Sequence, residues 1–524
     1  MSSTNYTQIF NYDPGAEYLT QPIYYRPDYT IQDKLDDFVS VKDYGAKGDG
    51  TTDDAISIQN AFDSGKNVWF PMGTYYLSQV VNAKSNTYID MKGATITNKG
   101  ISIDDQESVI ICNGNIQDIS SGYGIHIKNG SSYVYIDKMN VQECENGFYI
   151  DGTDAVCENL YMTNLFVKNS INTAYYSYRS HKVSWANVNT YNAVWGFYID
   201  GLNQDHTLVN GYFELGVAST TPTGDDTWYN STPKHGIVLK GSSNVLVSNC
   251  TFKGWDRTNG SGIDIRNFDS TTISNCIFED CYRFMTGIIE SGTTDEHLKN
   301  VIISNNIFKS PYTELIFIDD EVGTPDSEEM TIYFKDCIFE PSGSGNTINV
   351  TSENSSSKLS IQGCQFNEGI ELTGSWSGNK IINNCVFNTA TTYCIKTSSP
   401  TIIDSCKFYN WNTSSLVPST DPEEIDIAAI SISSGSDIQI NNCIFKSKTL
   451  RSIGAYSPSS GVLENIIVTN NTGGNDLWAE QPSGSNTNYL SNHIGYGNIT
   501  STAGTLNSVG TNYVLNDDST STNY

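Results

Sequence analysis

Acidic side chains are the commonest reactive groups in this chain: 58 Asp and Glu stand against 29 Lys and Arg, and there are six His. Position must therefore decide which of them could do chemistry. The informative set lies on a recurring short segment. It reads GIHIKNG at 124–130, GFYIDGT at 147–153, GFYIDGL at 196–202, GIVLKGS at 236–242, GIDIRNF at 262–268 and GIELTGS at 369–375. Each alternates apolar and polar residues, as a strand with one buried face does. Ile263 and Ile265 then point inward. The outward residues form two columns. One holds Tyr149, Tyr198, Val238, Asp264 and Phe317. The other holds Asp151, Asp200, Lys240, Arg266 and Asp319. Rings, carboxylates and cations on one face suit a sugar, because rings stack on sugar faces and charged groups orient hydroxyls.

Glycoside hydrolysis needs two carboxylic groups flanking the scissile bond. The candidates are Asp200, Asp264, Asp319 and Glu290, the last in TGIIESG. Carboxylates on adjacent rungs would lie ~5 Å apart and suit a retaining mechanism; two rungs give ~9.6 Å, near the inverting limit. Asp264 with Glu290 is expected to be the first kind of pair, and Asp264 with Asp319 the second. Candidate substrate contacts are Tyr149, Tyr198, Trp228, His235, Trp255, Asp256 and Arg266. Four of these sit in or beside long insertions, where binding residues concentrate. A lyase is the enzymatic rival, with Lys240, Arg257, Arg266, Arg283, Tyr198 and His235 as its parts. Glu214, Glu279 and Glu340 are set aside. They alternate with Lys253 and Lys309 at one repeat position, which reads as a ladder of surface ion pairs. Six His without paired Cys/His spacing give no zinc ligand set. Calcium at an Asp cluster stays open, and no cofactor is expected.

These residues are positioned by a second recurring segment. It reads NVLVSNCTF, TTISNCIF, NVIISNNIF, TIYFKDCIF, KLSIQGCQF, NKIINNCVF, PTIIDSCKF and DIQINNCIF. The residue two before each Phe falls at Cys250, Cys276, Asn306, Cys337, Cys364, Cys385, Cys406 and Cys443. The intervals are 26, 30, 31, 27, 21, 21 and 37 residues. A constant core with variable intervals means one repeated coil with loops inserted at a corner. Two short strands per coil, with Asn and Gly at the corners, describe an all-β parallel β-helix. The Cys column is then an internal ladder of free, buried thiols.

The segment YTIQDKLDDFVSVKDYGAKGDGTTDDAISIQNAF at 29–62 resembles the start of the β-helix in phage tailspikes and pectate-lyase-like enzymes. GAKGDGTTDD carries most of that likeness. Its Asp49, Asp53 and Asp54 read as turn and cap residues rather than catalysts. DDAISIQNAF reads as a capping helix with Ala55, Ile58, Ala61 and Phe62 on one face. WFPMGTYYLS at 69–78 matches the family's first strand, and TIQDKL resembles a joint of phage tail proteins. The GDD at 224–226 and HG at 235–236 echo polygalacturonase motifs at too short a spacing to count.

The resemblance implies a homotrimeric virion tailspike, a capsule depolymerase that binds and hydrolyses a capsular or O-antigen polysaccharide. It implies that residues 1–37 anchor on other phage tail proteins, that 38–475 form the β-helix, and that 476–524 form a C-terminal cap or trimerising segment. The alternatives are a polysaccharide lyase of the same fold and a non-enzymatic receptor-binding spike. The net charge of −29 disfavours nucleic acid and anionic membranes, which recruit basic patches. MSSTNYTQIFNYDPGAEYL lacks the basic and apolar regions of a signal peptide. No apolar run is long enough to span a membrane.

Overall fold

The computed structural model describes residues 37–201 without a gap. It then describes the coils of 203–473 outside their inserted loops, of which 216–234, 256–259, 290–297, 310–313, 321–329, 341–346 and 412–427 are the chief ones. Short strands alone are described at 24–30 and beyond 473.

From Phe38 onward the strands stack in parallel, pairing with the equivalent strand of the next coil. Two such strands per coil were expected; there are three. His235–Lys240, Ser243–Ser248 and Thr251–Lys253 make one coil, and Ser261–Arg266, Phe268–Ser274 and Ile277–Glu279 make the next. They pair in that order. The third strand holds only the triplet around the repeated Phe, too short to show alternation in the sequence.

The corner before that triplet explains the Asn in the motif. Asn249, Asn275, Asn305, Asn384 and Asn442 all take left-handed backbone, with φ between 54° and 56°. Asn tolerates this region better than other residues with a side chain. The next residue points inward and forms the ladder. Its thiol lies close to the carbonyl two residues back, at 3.3 Å for both Cys250 and Cys276. At Asn306 the amide takes over. Its Oδ1 accepts from Cys276 N at 2.7 Å, and its Nδ2 donates to Ile273 O at 2.9 Å. All twelve Cys are buried and free.

The repeated Phe residues stack from Phe213 to Phe445 with centroids 4.7–5.2 Å apart and planes within 17°. That spacing is the strand separation itself. The residues after them pair as Glu214, Lys253, Glu279, Lys309 and Glu340, the ladder read from the sequence. Lys253 Nζ lies 3.4 Å from Glu279 Oε1.

At the N-terminal end, the helix Ala55–Asp63 buries Ala55, Ile58, Ala61 and Phe62, as its periodicity predicts. The Asp residues before it are structural. Asp49 accepts from Thr51 and Thr52, which hold its carboxyl well below the usual range. Asp53 Oδ1 accepts from Ala55 N at 3.1 Å, while Asp54 ties down Lys47 N and Gly48 N instead of capping the helix. WFPMGTYYLS takes in the end of one strand, Asn67–Trp69, and the whole of the next, Thr74–Tyr76; Phe38–Ser40 pairs with the first of them.

Parallel pairing continues through Trp478–Gln481 to Tyr513–Leu515, so the solenoid backbone outlasts its motif. Among the described residues, no helix is long and apolar enough to cross a membrane.

Candidate functional site

The outward face read from the Gly-led segments exists, and its register is continuous. The first column runs from Ser102 through His126, Tyr149, Tyr176 and Tyr198. It continues through Val238, Asp264, Thr286 and Phe317. The second holds Lys128, Asp151, Tyr178 and Asp200, and further along Lys240, Arg266, Ile288 and Asp319. Sequence reasoning missed Tyr176 and Thr286 because their strands lack the leading Gly. The signal was present in the apolar–polar alternation of AYYSYR one coil above Tyr198.

Gly at the start of these strands has a packing cause. A Cβ on Gly236 would stand 2.7 Å from both Gly262 O and the Phe252 ring. Only a bare backbone lets the first strand pass that close to the inward Phe ladder.

The upper part of the face is aromatic. Tyr149 and Tyr176 stack at 4.3 Å with planes 12° apart, and Tyr198 meets Tyr176 edge-on at 5.4 Å. Trp195 adds an edge contact to Tyr198 at 5.5 Å. The Tyr176 hydroxyl donates to Asp200 Oδ2 at 3.3 Å. Burial pushes the Tyr149 phenol up to about 12 and that of Tyr176 higher still, the latter helped by Asp200. Both hydroxyls stay protonated; with its proton directed at Asp200, the Tyr176 oxygen can still accept from a ligand hydroxyl.

Two rungs below Tyr198 lies the charged cluster. Asp264 is 1% exposed, despite its outward position. Its Oδ2 accepts from Arg266 Nε at 2.9 Å and from the terminal guanidinium nitrogen at 2.7 Å. His235 Nε2 stands 3.5 Å from the same oxygen. Among the described residues, Oδ1 has no hydrogen-bond partner. His235 Nδ1 accepts from Ser261 N at 3.2 Å and lies 2.7 Å from Ser261 Oγ. The neutral ring then carries its proton on Nε2, facing Asp264. Burial pulls the His235 pKa down; the Asp264 carboxylate opposes this, and the guanidiniums of Arg266 and Arg283 add to it. Arg283 stacks over the Phe317 ring at 4.4 Å.

The expected residues divide as follows. Asp264, His235 and Arg266 come together. Tyr149 and Tyr198 lie on the same face, and Asp200 joins them through Tyr176. Asp319 is two rungs beyond Asp264 by backbone register, as expected, and in the neighbouring column. The position beside Asp264 belongs to Thr286, and Glu290 lies outside the described residues, with Trp228 and Asp256. Two corrections follow. Trp255 is no sugar platform: it is fully buried, with Nε1 3.4 Å from Phe213 O. Gly254, at φ 77°, turns the chain so that the ring drops into the core. His235, expected to contact substrate directly, is 5% exposed and supports Asp264 instead. Among the described residues, no group of three or more His, Cys, Asp or Glu could hold a metal.

Two family models match. Residues 38–107 match "Rhamnogalacturonase A/epimerase, pectate lyase-like", and residues 226–386 match "Right handed beta helix region". Plasmin and fibronectin-binding protein A of Streptococcus pneumoniae is 29% identical over 234 residues, covering 42% of this chain and 24% of that protein. The preneck appendage protein of Bacillus phage PZA is 46% identical over 69 residues, covering 13% of this chain and 8% of that protein. The chain thus spans less than a quarter of the length of either relative. A tailspike protein double mutant of E. coli bacteriophage HK620 aligns in structure with a TM-score of 0.46 at 12% identity, covering 86% of this chain and 82% of that one. The resemblance to the pectate-lyase-like, right-handed β-helix superfamily and its phage tail members is borne out, and so is the fold class.

Proposed function

We propose that this right-handed β-helix chain is a phage tailspike that binds a bacterial surface polysaccharide and depolymerises it by endoglycosidic hydrolysis. One observation carries the reading. A ladder of tyrosines runs along an outward face into a buried carboxylate with one oxygen held by Arg266 and the other without a hydrogen bond to any described residue. The ladder supplies stacking surfaces for successive sugars, with phenol groups to meet their hydroxyls.

Asp264 is the first carboxylate of the reaction. Arg266 and His235 fix its Oδ2, which leaves Oδ1 to take a proton from water as that water attacks the anomeric carbon. A second carboxyl group protonates the departing glycosidic oxygen. Asp319 is the candidate for that group; two rungs and one column from Asp264, its backbone lies ~12 Å away, so the two carboxyl groups would have to lean towards each other to reach the separation of an inverting pair. The match to a family model named for rhamnogalacturonase and epimerase supports carbohydrate chemistry on this scaffold. The spike would sit on the phage tail, bound through its N-terminal segment to other tail proteins, and would form a homotrimer.

A binding-only spike is the second reading. It is favoured by the near-complete burial of Asp264 and by a relative whose name records binding alone. Polysaccharide lyase chemistry would instead draw on Arg266, Arg283 and His235.

The test uses the purified chain and Asp264→Asn on a panel of capsular and O-antigen polysaccharides, followed by fragment mass. Shortening of one glycan by the parent chain, with at least a hundredfold loss in the variant, supports hydrolysis at Asp264. Equal cutting by both proteins removes Asp264 from the reaction. Binding without shortening by either leaves the adhesive spike, and unsaturated ends identify a lyase.

A further inference from the structure

We propose that the N-terminal end of the same face holds a separate pocket for one acidic sugar residue, a uronate. The pocket has a volume of about 390 Å³, and its polar lining includes Asn82, Lys99, Ser102, Tyr123, His126 and Lys128. That size is in the range of small-ligand sites.

Three of these residues are successive rungs of the outward column: Asn82 pairs with Ser102, and Ser102 with His126. Asp264 lies five rungs beyond His126, or ~24 Å along the axis. The pocket is therefore separate from the charged cluster.

The polar groups in it are unfinished. Ser102 is 3% exposed, and its Oγ has no hydrogen-bond partner among the described residues. His126 Nε2 has none either; it stands 3.9 Å from Asp151 Oδ2, beyond hydrogen-bond reach. Buried polar groups nearly always find partners, so Ser102 and His126, both lining this cavity, offer a hydroxyl-bearing ligand two places to hydrogen-bond. Burial pulls the His126 pKa down to about 4, so its ring is neutral at pH 7 and can exchange hydrogen bonds with hydroxyls. The Tyr123 ring lies 4.2 Å from the His126 ring and 4.4 Å from the Tyr149 ring, which makes an aromatic wall.

Charge sets the class of sugar. In a chain of net charge −29, two lysines, Lys99 and Lys128, line this one pocket. Lys128 is already matched by Asp104 at 2.9 Å, and Glu145 takes the Gly122 N–H at 2.6 Å. Lys99, in no ion pair among the described residues, can meet an incoming carboxylate. With Asp104, Glu145 and Asp151 near, a singly charged, hydroxyl-rich ligand fits better than a phosphate.

The proposal rests on the glycan reading only in taking the ligand to be a sugar. The test is ligand-observed NMR on the full chain with D-glucuronate, D-galacturonate, D-glucose and inorganic phosphate as probes. Saturation transfer to a uronate, weakened at least tenfold by Ser102→Val and by Lys99→Gln, supports the pocket. Lys99 is partly exposed, so its variant tests the site without burdening the fold. Uronate binding that neither variant alters, or no uronate binding, overturns the site. Glucose or phosphate binding as strong as uronate overturns the ligand class. Uronate binding with no cleavage of any polysaccharide would leave the pocket standing and count against the catalytic reading alone.

Discussion

Replacing Lys380 with Met should stabilise the protein at neutral pH and not at alkaline pH. Lys380 occupies an inward position between Leu359 and Thr401 and is 1% exposed. Burial pulls its ammonium pKa from 10.5 down to about 8. That fall, about 2.5 pH units, corresponds to ~3 kcal/mol at 1.36 kcal/mol per unit. It is the cost of keeping the charge inside at pH 7. The unfolded chain holds the proton up to about pH 10.5, whereas the folded chain releases it near pH 8. Between those values the unfolded state binds more protons, so stability rises with pH. The deficit of the parent relative to Lys380→Met is therefore full below pH 8 and almost gone by pH 10.5. Scanning calorimetry at pH 7 and pH 10 reads this directly. If the chain melts as one unit, the variant should melt about 3 °C higher at pH 7 and less than about 1 °C higher at pH 10. Equal melting at pH 7, or a gap that does not narrow with pH, would refute the argument.

Other consequences follow from buried charge and buried imidazole. Arg266→Met removes the cation that holds Asp264 and should cost ~3–5 kcal/mol, the usual loss on breaking a buried pair. Adding Asp264→Asn should restore most of it, and a double-mutant cycle by denaturant unfolding measures the coupling. His126 and His206 both have pKa values lowered to about 4 by burial. The unfolded chain takes up their protons below pH 6.5 while the folded chain resists, so each lowers stability as pH falls from 6.5 towards 4. His206→Asn should flatten the acid side of the melting profile, and a profile that keeps its slope would exclude His206 as a cause.

The sequence made the scaffold legible because a solenoid repeats its packing problem at every coil. The Asn before the ladder is needed for a left-handed corner, and the Phe after it for the stacked core. The alternating Glu and Lys that follow are one column of surface pairs. What the sequence hid is local. Trp255 stands among polar residues in KGWDRTNG and reads as an exposed loop; only the left-handed Gly254 shows that the ring turns inward. Asp264 alternates as a surface residue should, and the ion pair that accompanies its burial depends on Arg266 two positions on and His235 one coil back. Lys380 sits at an inward position that periodicity alone would assign to an aliphatic residue. Column membership could be read from spacing, but side-chain partners within a column could not.

Cleavage of the matching polysaccharide in ¹⁸O-labelled water tests the central claim most directly. Hydrolysis at the Asp264 cluster predicts one labelled oxygen at each new reducing end and none from Asp264→Asn. Unlabelled, unsaturated ends would contradict hydrolysis, and a glycan bound tightly but never shortened would contradict catalysis altogether.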